Sequence, residues 1–518
     1  MLAKTFSVAL KGLDSIPIEV EVDVSNGMQS FNIVGLADNA IKESKERISS
    51  AIRNLGSQSP LRTNKKIVVN LAPANIKKTG SNYDLAIALG YLLASGQIAP
   101  FNFNKILFIG ELSLEGELKP ISGVISFTEA AEQNGFQEII LPWQNINEAM
   151  LIRKTIKVVG LKNLKEVIDY LEGRLNYQMP EFNLEQFLNQ EPQSELDFSQ
   201  IKGQELAKRA LIIAAAGGHN VLMVGTPGSG KTLLAKSFIN ILPPLSFEES
   251  LEVTKIYSSA GLLSKNTPII HQRPFRAPHH SASLVALVGG GTHPKPGEIS
   301  LAHRGILFLD ELPEFSRQAL ESLRQPLEEG RVTIARAEDT ITYPAKFILI
   351  AAMNPCPCGW LGDSIKECNC SASNIIKYKR KVSGPLLDRI DLQIRVDRIS
   401  FEKANEKNSQ DDLAEDKQKI IRARQTQEER FYKEPNGILL NSEMNPKEIE
   451  KYCVLDKHCE SLLKNAMEKY GLTMRSYHRI LKISRTIADL DNKENIEPLH
   501  INEAIQYKIG VENNEPWM

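Results

Sequence analysis

A strand, loop and helix pattern near residue 225 sets the narrowest limits on how this chain can fold. The segment VLMVGTPGSGKTLLAKSFINIL starts with an apolar strand, Val221 to Val224, passes through the spacing GxxxxGK[ST] and ends in a helical pattern. The loop residues are Gly225, Thr226, Pro227, Gly228, Ser229, Gly230, Lys231 and Thr232. Such a loop wraps backbone N–H groups around phosphate oxygens at a helix N-terminus. It therefore predicts an ATP site, with Lys231 at the β/γ-phosphates and Thr232 on Mg²⁺; the alternative is a glycine-rich turn that binds nothing.

Two further apolar strands end in polar side chains that suit ATP hydrolysis. The segment RGILFLDELPEF ends a buried strand pattern in Asp310 and Glu311. We expect Asp310 to give a second magnesium contact and Glu311 to act as the base that polarises the attacking water. The segment KFILIAAMNP ends in Asn354, whose amide is placed to orient the water or the γ-phosphate. The alternative for Asp310 and Glu311 is an acidic strand end without a ligand, and the alternative for Asn354 is a turn-forming residue.

Two arginines are candidates for stabilising the charge that develops on the γ-phosphate. Arg389 lies in SGPLLDRIDLQI, and Arg475 lies in GLTMRSYHRILKISRTIADL. Such an arginine often comes from a neighbouring subunit, which requires a ring. The alternative for Arg389 is a surface ion pair with Asp388 or Asp391.

The length of the chain indicates several domains, and its positive and negative side chains are nearly balanced. A chain of 518 residues exceeds one hydrophobic core, and its 62 basic side chains are balanced by 63 acidic ones. Any polyanion site must therefore be a local patch. We expect an α/β domain over 1–173, a linker over 174–200, an α/β ATPase core over 201–400 and a helical lid over 401–518. No segment approaches the ~20 apolar residues of a membrane span, so a cytoplasmic protein is expected.

Four of the six cysteines fall in one short stretch, MNPCPCGWLGDSIKECNC. They are Cys356, Cys358, Cys368 and Cys370. Four thiolates can close a tetrahedral zinc site, which would be structural because no position stays open for water. The spacing Cys-x-Cys is less typical than Cys-x-x-Cys, and the alternatives are reduced thiols without a metal or a disulfide pair. We expect zinc to fix the loop 356–370 between Asn354 and Arg389.

The motifs together resemble those of a known family. GTPGSGKT, RPFRAPHHSAS, GGGTHPKPGEISLAHRGILFLDELPEF, AAMNPCPCG and SGPLLDRIDL are similar to the magnesium-chelatase-like AAA+ ATPases, and most closely to the competence protein ComM (YifB) family. The likeness extends over essentially the whole chain. It implies a Lon-protease-like N-terminal α/β domain, an AAA+ P-loop core with a parallel sheet and a C-terminal helical lid. By the same likeness Asn354 is sensor 1, Arg389 the arginine finger and Arg475 sensor 2.

The function implied by this resemblance is that of a hexameric, ATP-driven DNA motor. Such a helicase promotes branch migration while incoming single strands are integrated during natural transformation, so single-stranded and branched DNA are the expected partners. The alternative is a magnesium-chelatase-type motor that remodels a protein partner. The Lon-like N-terminal domain and the cysteine segment argue against that alternative.

The resemblance to Lon proteases also suggests a rival function, peptidase activity. That activity needs a serine activated by a lysine. Alignment of KKTGSNYDLA with the Lon serine motif puts Asn82 at the serine, although Ser81 is only one residue away. Alignment of LKPISGVISFTEAA puts Ile125 at the lysine, and no shift restores a lysine there. We therefore expect a non-catalytic domain that serves assembly or engages DNA.

DNA contact must be local, and loops that point into the pore of a ring are the expected place for it. The first candidate is Lys295 in GGGTHPKPGEIS, and the second is the hairpin pattern EGRVTIARAEDTITYPA, with Arg331 and Arg336 on one arm. In AAA+ proteins of this clade a hairpin before sensor 1 reaches into the pore, which favours Arg336. The alternative is an exposed hairpin arginine without a ligand. The basic run Lys377 to Lys381 suits a subunit interface as well as DNA.

Overall fold

The computed structural model describes residues 1–184, 198–264, 267–291, 294–335, 340–363, 365–399, 410–434 and 437–509. Residues 185–197 of the predicted linker lie outside these ranges, and so does Arg336 of the predicted DNA hairpin. Among the described helices, none combines the length and the apolar character that a bilayer crossing requires.

The N-terminal part is an α/β unit built on two main sheets. Its strands are β1 Leu2–Lys11, β2 Asp14–Asn26, β3 Ser30–Val34, β4 Lys65–Ala72, β5 Ile106–Phe108, β6 Glu111–Leu112, β7 Leu118–Lys119, β8 Glu138–Pro142 and β9 Lys157–Leu161. Its helices are α1 Asn39–Asn54, α2 Asp84–Ala94, α3 Val124–Gln133, α4 Ile146–Met150 and α5 Leu164–Leu171. One sheet has the order β1-β2-β4-β3, and the other, β5-β8-β9, is parallel.

Alternation of charged and β-branched residues explains how the first sheet forms. In β2, Ile18, Val20 and Val22 are fully buried, and the charged residues between them lie on the other face. Helix α2 packs on the buried face of this sheet, and every residue from Asp84 to Ala94 is buried. A helix that is apolar all round belongs in the middle of a core.

The middle of the chain is a parallel P-loop sheet. Its strands and hairpins are β10 Val221–Val224, β11 Phe275–Arg276, β12 Gly289–Gly290, β13 Lys295–Pro296, β14 Ile306–Leu309, β15 Arg331–Ala335, β16 Thr340–Pro344, β17 Ile348–Met353 and β18 Leu392–Arg395. Its helices are α6 Glu205–Gly217, α7 Lys231–Ser237, α8 Phe247–Ala260, α9 Leu284–Val288, α10 Glu298–Leu301, α11 Arg317–Ser322, α12 Arg324–Glu329, α13 Ala372–Lys379 and α14 Gly384–Leu387.

Five of these strands form the central sheet in the order β11-β14-β17-β10-β18, and every neighbouring pair is parallel. The runs ILFL in β14 and VLMV in β10 are buried throughout, as expected of parallel strands covered on both faces. Because the strands are parallel, the sheet has two distinct edges. We call the one where the strands end the carboxyl edge, and the one where they begin the amino edge.

The C-terminal part is helical and packs on the sheet's helices. It comprises α15 Gln410–Phe431, α16 Pro446–Tyr452, α17 Lys457–Tyr470, α18 Met474–Leu490 and α19 Pro498–Ile509. Ile480, Ile483 and Ile487 of α18 are fully buried and join the same hydrophobic cluster as β10 and α6. The predicted fold class, α/β with a parallel P-loop sheet and a helical C-terminal part, is confirmed.

The N-terminal part contacts the ATPase core at several places, including helix α8 and the hairpin β15–β16. The Ser258 hydroxyl of α8 accepts a hydrogen bond from the Gly123 backbone N–H at 2.9 Å and donates one to the buried carboxylate of Glu148. The turn between β1 and β2 packs on the hairpin β15–β16, where Gly12 lies against Ile341 so closely that a Cβ would stand 2.7 Å from it. The hairpin predicted to meet DNA is therefore supported from the N-terminal side.

Candidate nucleotide site

The P-loop lies at the carboxyl edge, between strand β10 and helix α7. The Lys231 ammonium donates to the carbonyl oxygens of Gly225 at 2.6 Å and Thr226 at 2.9 Å, and to the Asn354 side-chain oxygen at 3.3 Å. Burial lowers the pKa of Lys231. The structure thus brings the predicted phosphate-binding lysine and the predicted sensor 1 into contact.

The loop's shape depends on glycine at two kinds of position. Gly228 and Gly230 have φ of +77° and +92°, the left-handed region that glycine tolerates best. A Cβ on Gly225 would clash with the carbonyl oxygen of Val396. The neighbouring Ser229 is 3% exposed, and its hydroxyl has no hydrogen-bond partner among the described residues. A buried, unpaired hydroxyl beside a lysine and a helix N-terminus fits an anionic ligand such as a nucleotide phosphate.

The predicted magnesium ligands face each other across the same edge. The Thr232 hydroxyl donates to a carboxylate oxygen of Asp310 at 2.9 Å. Hydroxyl and carboxylate oxygens are ligands that Mg²⁺ accepts in phosphate-transfer sites. These two residues therefore fit the predicted cofactor.

Glu311 follows Asp310 in a strained backbone conformation and points outward. Its φ is +52°, its side chain is 56% exposed, and its carboxylate lies 3.3 Å from the Nδ1 atom of His280. The ring of His280 packs against that of His279, with the ring centroids 4.0 Å apart and the planes inclined by 35°. A non-glycine residue at positive φ is uncommon and is concentrated at functional sites. His280 was not singled out by the sequence argument, although it lies in the quoted segment RPFRAPHHSAS, after β11 and beside β14.

The predicted arginine finger lies at the opposite edge of the sheet. Arg389 precedes β18, and its backbone carbonyl accepts a hydrogen bond from Asn220, which precedes β10, at 3.3 Å. Parallel strands rise about 3.3 Å per residue, so a four-residue strand separates the two edges by at least ~10 Å. Arg389 therefore faces away from the P-loop of its own chain.

Arg475, the predicted sensor 2, lies beside Arg389 rather than beside the P-loop. Both arginines donate to the same oxygen of Glu328, Arg389 at 2.6 Å and Arg475 at 2.7 Å. The pKa of Glu328 is lowered, first by the hydrogen bond from Arg389. The structure thus separates the predicted site residues into two groups, and Glu328, which the sequence argument did not name, joins the second group.

The four clustered cysteines converge. Their sulfur atoms all lie within 4.8 Å of one another, with Sγ–Sγ distances of 3.4 Å for Cys356–Cys358 and 3.6 Å for Cys368 to each of these two. Four sulfurs at 2.3 Å from a tetrahedral zinc ion stand ~3.8 Å apart, so the cluster has the size of a thiolate zinc site. Hydrogen bonding, first from the Trp360 backbone N–H, lowers the pKa of Cys358 to about 6.

The cysteine loop packs on the P-loop. Gly359, at φ +85°, lies so close to Pro227 that a Cβ would stand 2.7 Å from its ring. Beyond it, Arg395 at the end of β18 donates to the Gly362 carbonyl oxygen at 2.8 Å, and the Arg398 guanidinium lies 5.1 Å from the centre of the Trp360 ring. The loop therefore joins the P-loop to the end of β18 at the carboxyl edge, while Arg389, toward which the sequence interpretation directed it, lies at the other edge.

The two predicted DNA segments form adjacent hairpins. The Tyr343 hydroxyl of β16 donates to the Pro294 carbonyl oxygen beside β13 at 2.9 Å. Lys295 is exposed, whereas Arg331 is paired with Glu329 at 3.0 Å. Arg336 lies outside the described residues. In the basic run, Lys381 pairs with Glu314 at 3.1 Å.

The positions aligned with the Lon catalytic pair are both buried. The Asn82 side chain is buried and donates to the Val8 carbonyl oxygen at 2.6 Å, and Ile125 is fully buried in an apolar cluster. The Ser81 hydroxyl, one residue away, donates to Glu111.

Comparison with known proteins places these features in a family. The family model described as "Magnesium chelatase, subunit ChlI" matches residues 197–404, "Subunit ChlI of Mg-chelatase" matches 20–145, and "Magnesium chelatase, subunit ChlI C-terminal" matches 411–508. The chain is 42% identical over 517 residues to the competence protein ComM of Haemophilus influenzae, which covers 98% of each chain. It is 42% identical over 513 residues to the uncharacterized protein YifB of Salmonella typhimurium, covering 98% of this chain and 97% of that one. Lon protease 2 of Bacillus subtilis is 29% identical over 168 residues, 30% of this chain and 29% of its own.

Proposed function

Because the chain belongs to the ComM/YifB family of magnesium-chelatase-like AAA+ ATPases, we propose that it is a hexameric, ATP-driven helicase that promotes DNA branch migration during natural transformation. The observation that carries the proposal is the division of the predicted site between the two edges of one sheet. A P-loop that lacks its own arginine finger needs a second copy of the chain, and a ring supplies it at every interface. The name of the Haemophilus relative supports the link to competence.

At the carboxyl edge, the chain's own residues are arranged to bind and orient ATP. Lys231 exchanges its carbonyl partners for β/γ-phosphate oxygens, while Asn354, already in contact with it, is placed to orient the γ-phosphate or the water. Thr232 and Asp310 would hold Mg²⁺, which neutralises the charge that develops on the phosphates. Glu311 polarises the attacking water, and His280 holds the Glu311 carboxylate in position.

At the amino edge, Arg389 and Arg475 are proposed to serve the neighbouring subunit. Their guanidinium groups converge on one carboxylate, so both can approach the same phosphate across an interface. Rotation of one subunit against the next then changes the alignment of finger and phosphate, which links hydrolysis to movement.

The pore face is proposed to hold DNA through the two adjacent hairpins. Lys295 is exposed on the first, and Arg331 and Arg336 are assigned to the second. Since the chain has 62 basic and 63 acidic side chains, phosphate contacts must come from such local positions.

The cysteine cluster is proposed to hold one structural zinc ion. The sulfur separations fit four thiolates around zinc, and the close approach of Gly359 to Pro227 supports a role beside the P-loop. Zinc would hold the loop against the nucleotide site and would supply no chemistry to hydrolysis.

The experiment that tests the function is a branch-migration assay on a synthetic three-strand junction with ATP. Wild-type protein should move the branch, and the Lys231→Ala variant should not. The competing function, a chelatase-type motor that remodels a protein, is separated by ATP turnover with and without single-stranded or branched DNA. Equal turnover in both conditions would defeat the DNA motor.

A further inference from the structure

Three parts of the chain meet at the carboxylate of Glu328. Glu328 belongs to α12 of the ATPase core, Arg389 to the segment before β18, and Arg475 to the first turn of α18 in the helical part. Both arginines donate to one of its oxygens, at 2.6 and 2.7 Å. A carboxylate that accepts two guanidinium groups makes two charge-assisted hydrogen bonds, the stronger class in proteins.

The backbone around Arg389 is fixed, so its side chain alone can change position. The Arg389 carbonyl oxygen accepts hydrogen bonds from Asn220 at 3.3 Å and from Arg479 at 2.8 Å. Its guanidinium donates to Glu328 and to the Pro385 carbonyl oxygen at 2.6 Å, and the side chain is only 9% exposed. To reach a phosphate of another subunit, the guanidinium must leave Glu328.

Glu328 is in turn tied to the hairpin that is assigned to DNA. Only Glu329 and Gly330 separate it from β15. The Gly330 carbonyl oxygen accepts from the Ala345 N–H at the far end of the hairpin at 2.8 Å, and the Gly330 N–H donates to Pro326 in α12 at 2.9 Å. Because both ends of the hairpin are bonded to the end of α12, displacement of the hairpin displaces the helix that carries Glu328.

We propose that Glu328 is a positioning residue that holds the arginine finger back until DNA displaces the β15–β16 hairpin. The inference rests on the proposed function, because it takes Arg389 as the finger and the hairpin as the DNA contact. Release exchanges a carboxylate for a phosphate at the same guanidinium, two partners of similar hydrogen-bonding chemistry. A modest displacement is therefore sufficient to change the preferred partner.

The test measures ATP turnover of the full-length protein with and without saturating oligothymidylate. Glu328→Ala should raise the DNA-free rate several-fold toward the DNA-stimulated wild-type rate, so the ratio of the two rates falls toward one. The double variant Glu328→Ala/Arg389→Ala should lose this gain and match Arg389→Ala alone. Glu321→Gln is the matched control, since its carboxylate on α11 pairs with Arg324 and not with the finger; it should keep the wild-type ratio.

Two results would overturn the inference. If Glu328→Ala lowers both rates and keeps their ratio, Glu328 only supports the finger's structure. If the DNA-free rate of Glu328→Ala equals that of wild type, the contact with Glu328 does not restrain Arg389. A wild-type protein that ignores DNA would instead defeat the DNA motor; the Glu328 contact would then be judged on the DNA-free rate and its dependence on Arg389.

Discussion

The two edges of the ATPase sheet carry different groups of the predicted site residues. At the carboxyl edge, Lys231 contacts Asn354, and Asp310 accepts hydrogen bonds from Thr232 and from the backbone N–H of Glu311. At the amino edge, Arg389 and Arg475 pair with the carboxylate of Glu328, and the described residues there include no phosphate-binding loop. This division supports the proposal that one chain binds ATP and completes its hydrolysis only with a neighbouring copy in a ring.

The largest effect is expected at the amino edge. Arg389→Ala should lower kcat by a factor of about 10³–10⁵, the range for arginine fingers, because the charge that develops on the γ-phosphate is then no longer stabilised. ATP binding, measured with a fluorescent analogue, should stay near that of wild type. A variant that loses affinity as much as turnover would place Arg389 at its own P-loop and contradict the division into edges.

At the carboxyl edge, Glu311→Gln removes the base and keeps the shape of the side chain. We expect kcat to fall by about 10²–10⁴ while ATP remains bound, since general-base catalysis contributes that range. Steady-state turnover and equilibrium binding measure the two quantities. Persistent hydrolysis would remove Glu311 from its assigned role.

A smaller effect is expected from His280, which contacts the base and not the phosphates. His280→Ala should lower kcat about tenfold, equivalent to ~1.4 kcal/mol, with KM for ATP unchanged, because only the orientation of Glu311 is lost. His280→Gln, which keeps a hydrogen-bond donor, should recover part of the rate. Equal loss in both variants would indicate a packing role.

The smallest effect on catalysis is expected from the cysteine cluster. Cys368→Ser/Cys370→Ser should lose bound zinc, lower Tm by a few degrees and weaken ATP binding through Pro227, with little change at the amino edge. Metal analysis and thermal unfolding check this. A chelator should lower the Tm of the wild-type protein and leave that of the variant unchanged. Well under one zinc per chain in protein purified without chelator would contradict the zinc site.

The carboxyl edge was predictable from sequence because its signals are local. A buried strand followed by a polar residue identified Asp310, Glu311 and Asn354, and the P-loop spacing identified the rest. The amino edge was not predictable, because its contacts join distant residues: Arg475 and Glu328 are 147 positions apart. His280 was missed for the same reason, since only the pairing of β11 with β14 brings it to Glu311.

The proposed function requires each ATP site to be shared between two copies of the chain. The direct measurement mixes Lys231→Ala, which keeps its amino edge, with Arg389→Ala, which keeps its carboxyl edge. Random mixing completes about a quarter of the head-to-tail interfaces in a ring, so the mixture should regain ATP turnover that neither variant shows alone. Turnover that stays at the level of the separate variants would contradict a site shared between subunits.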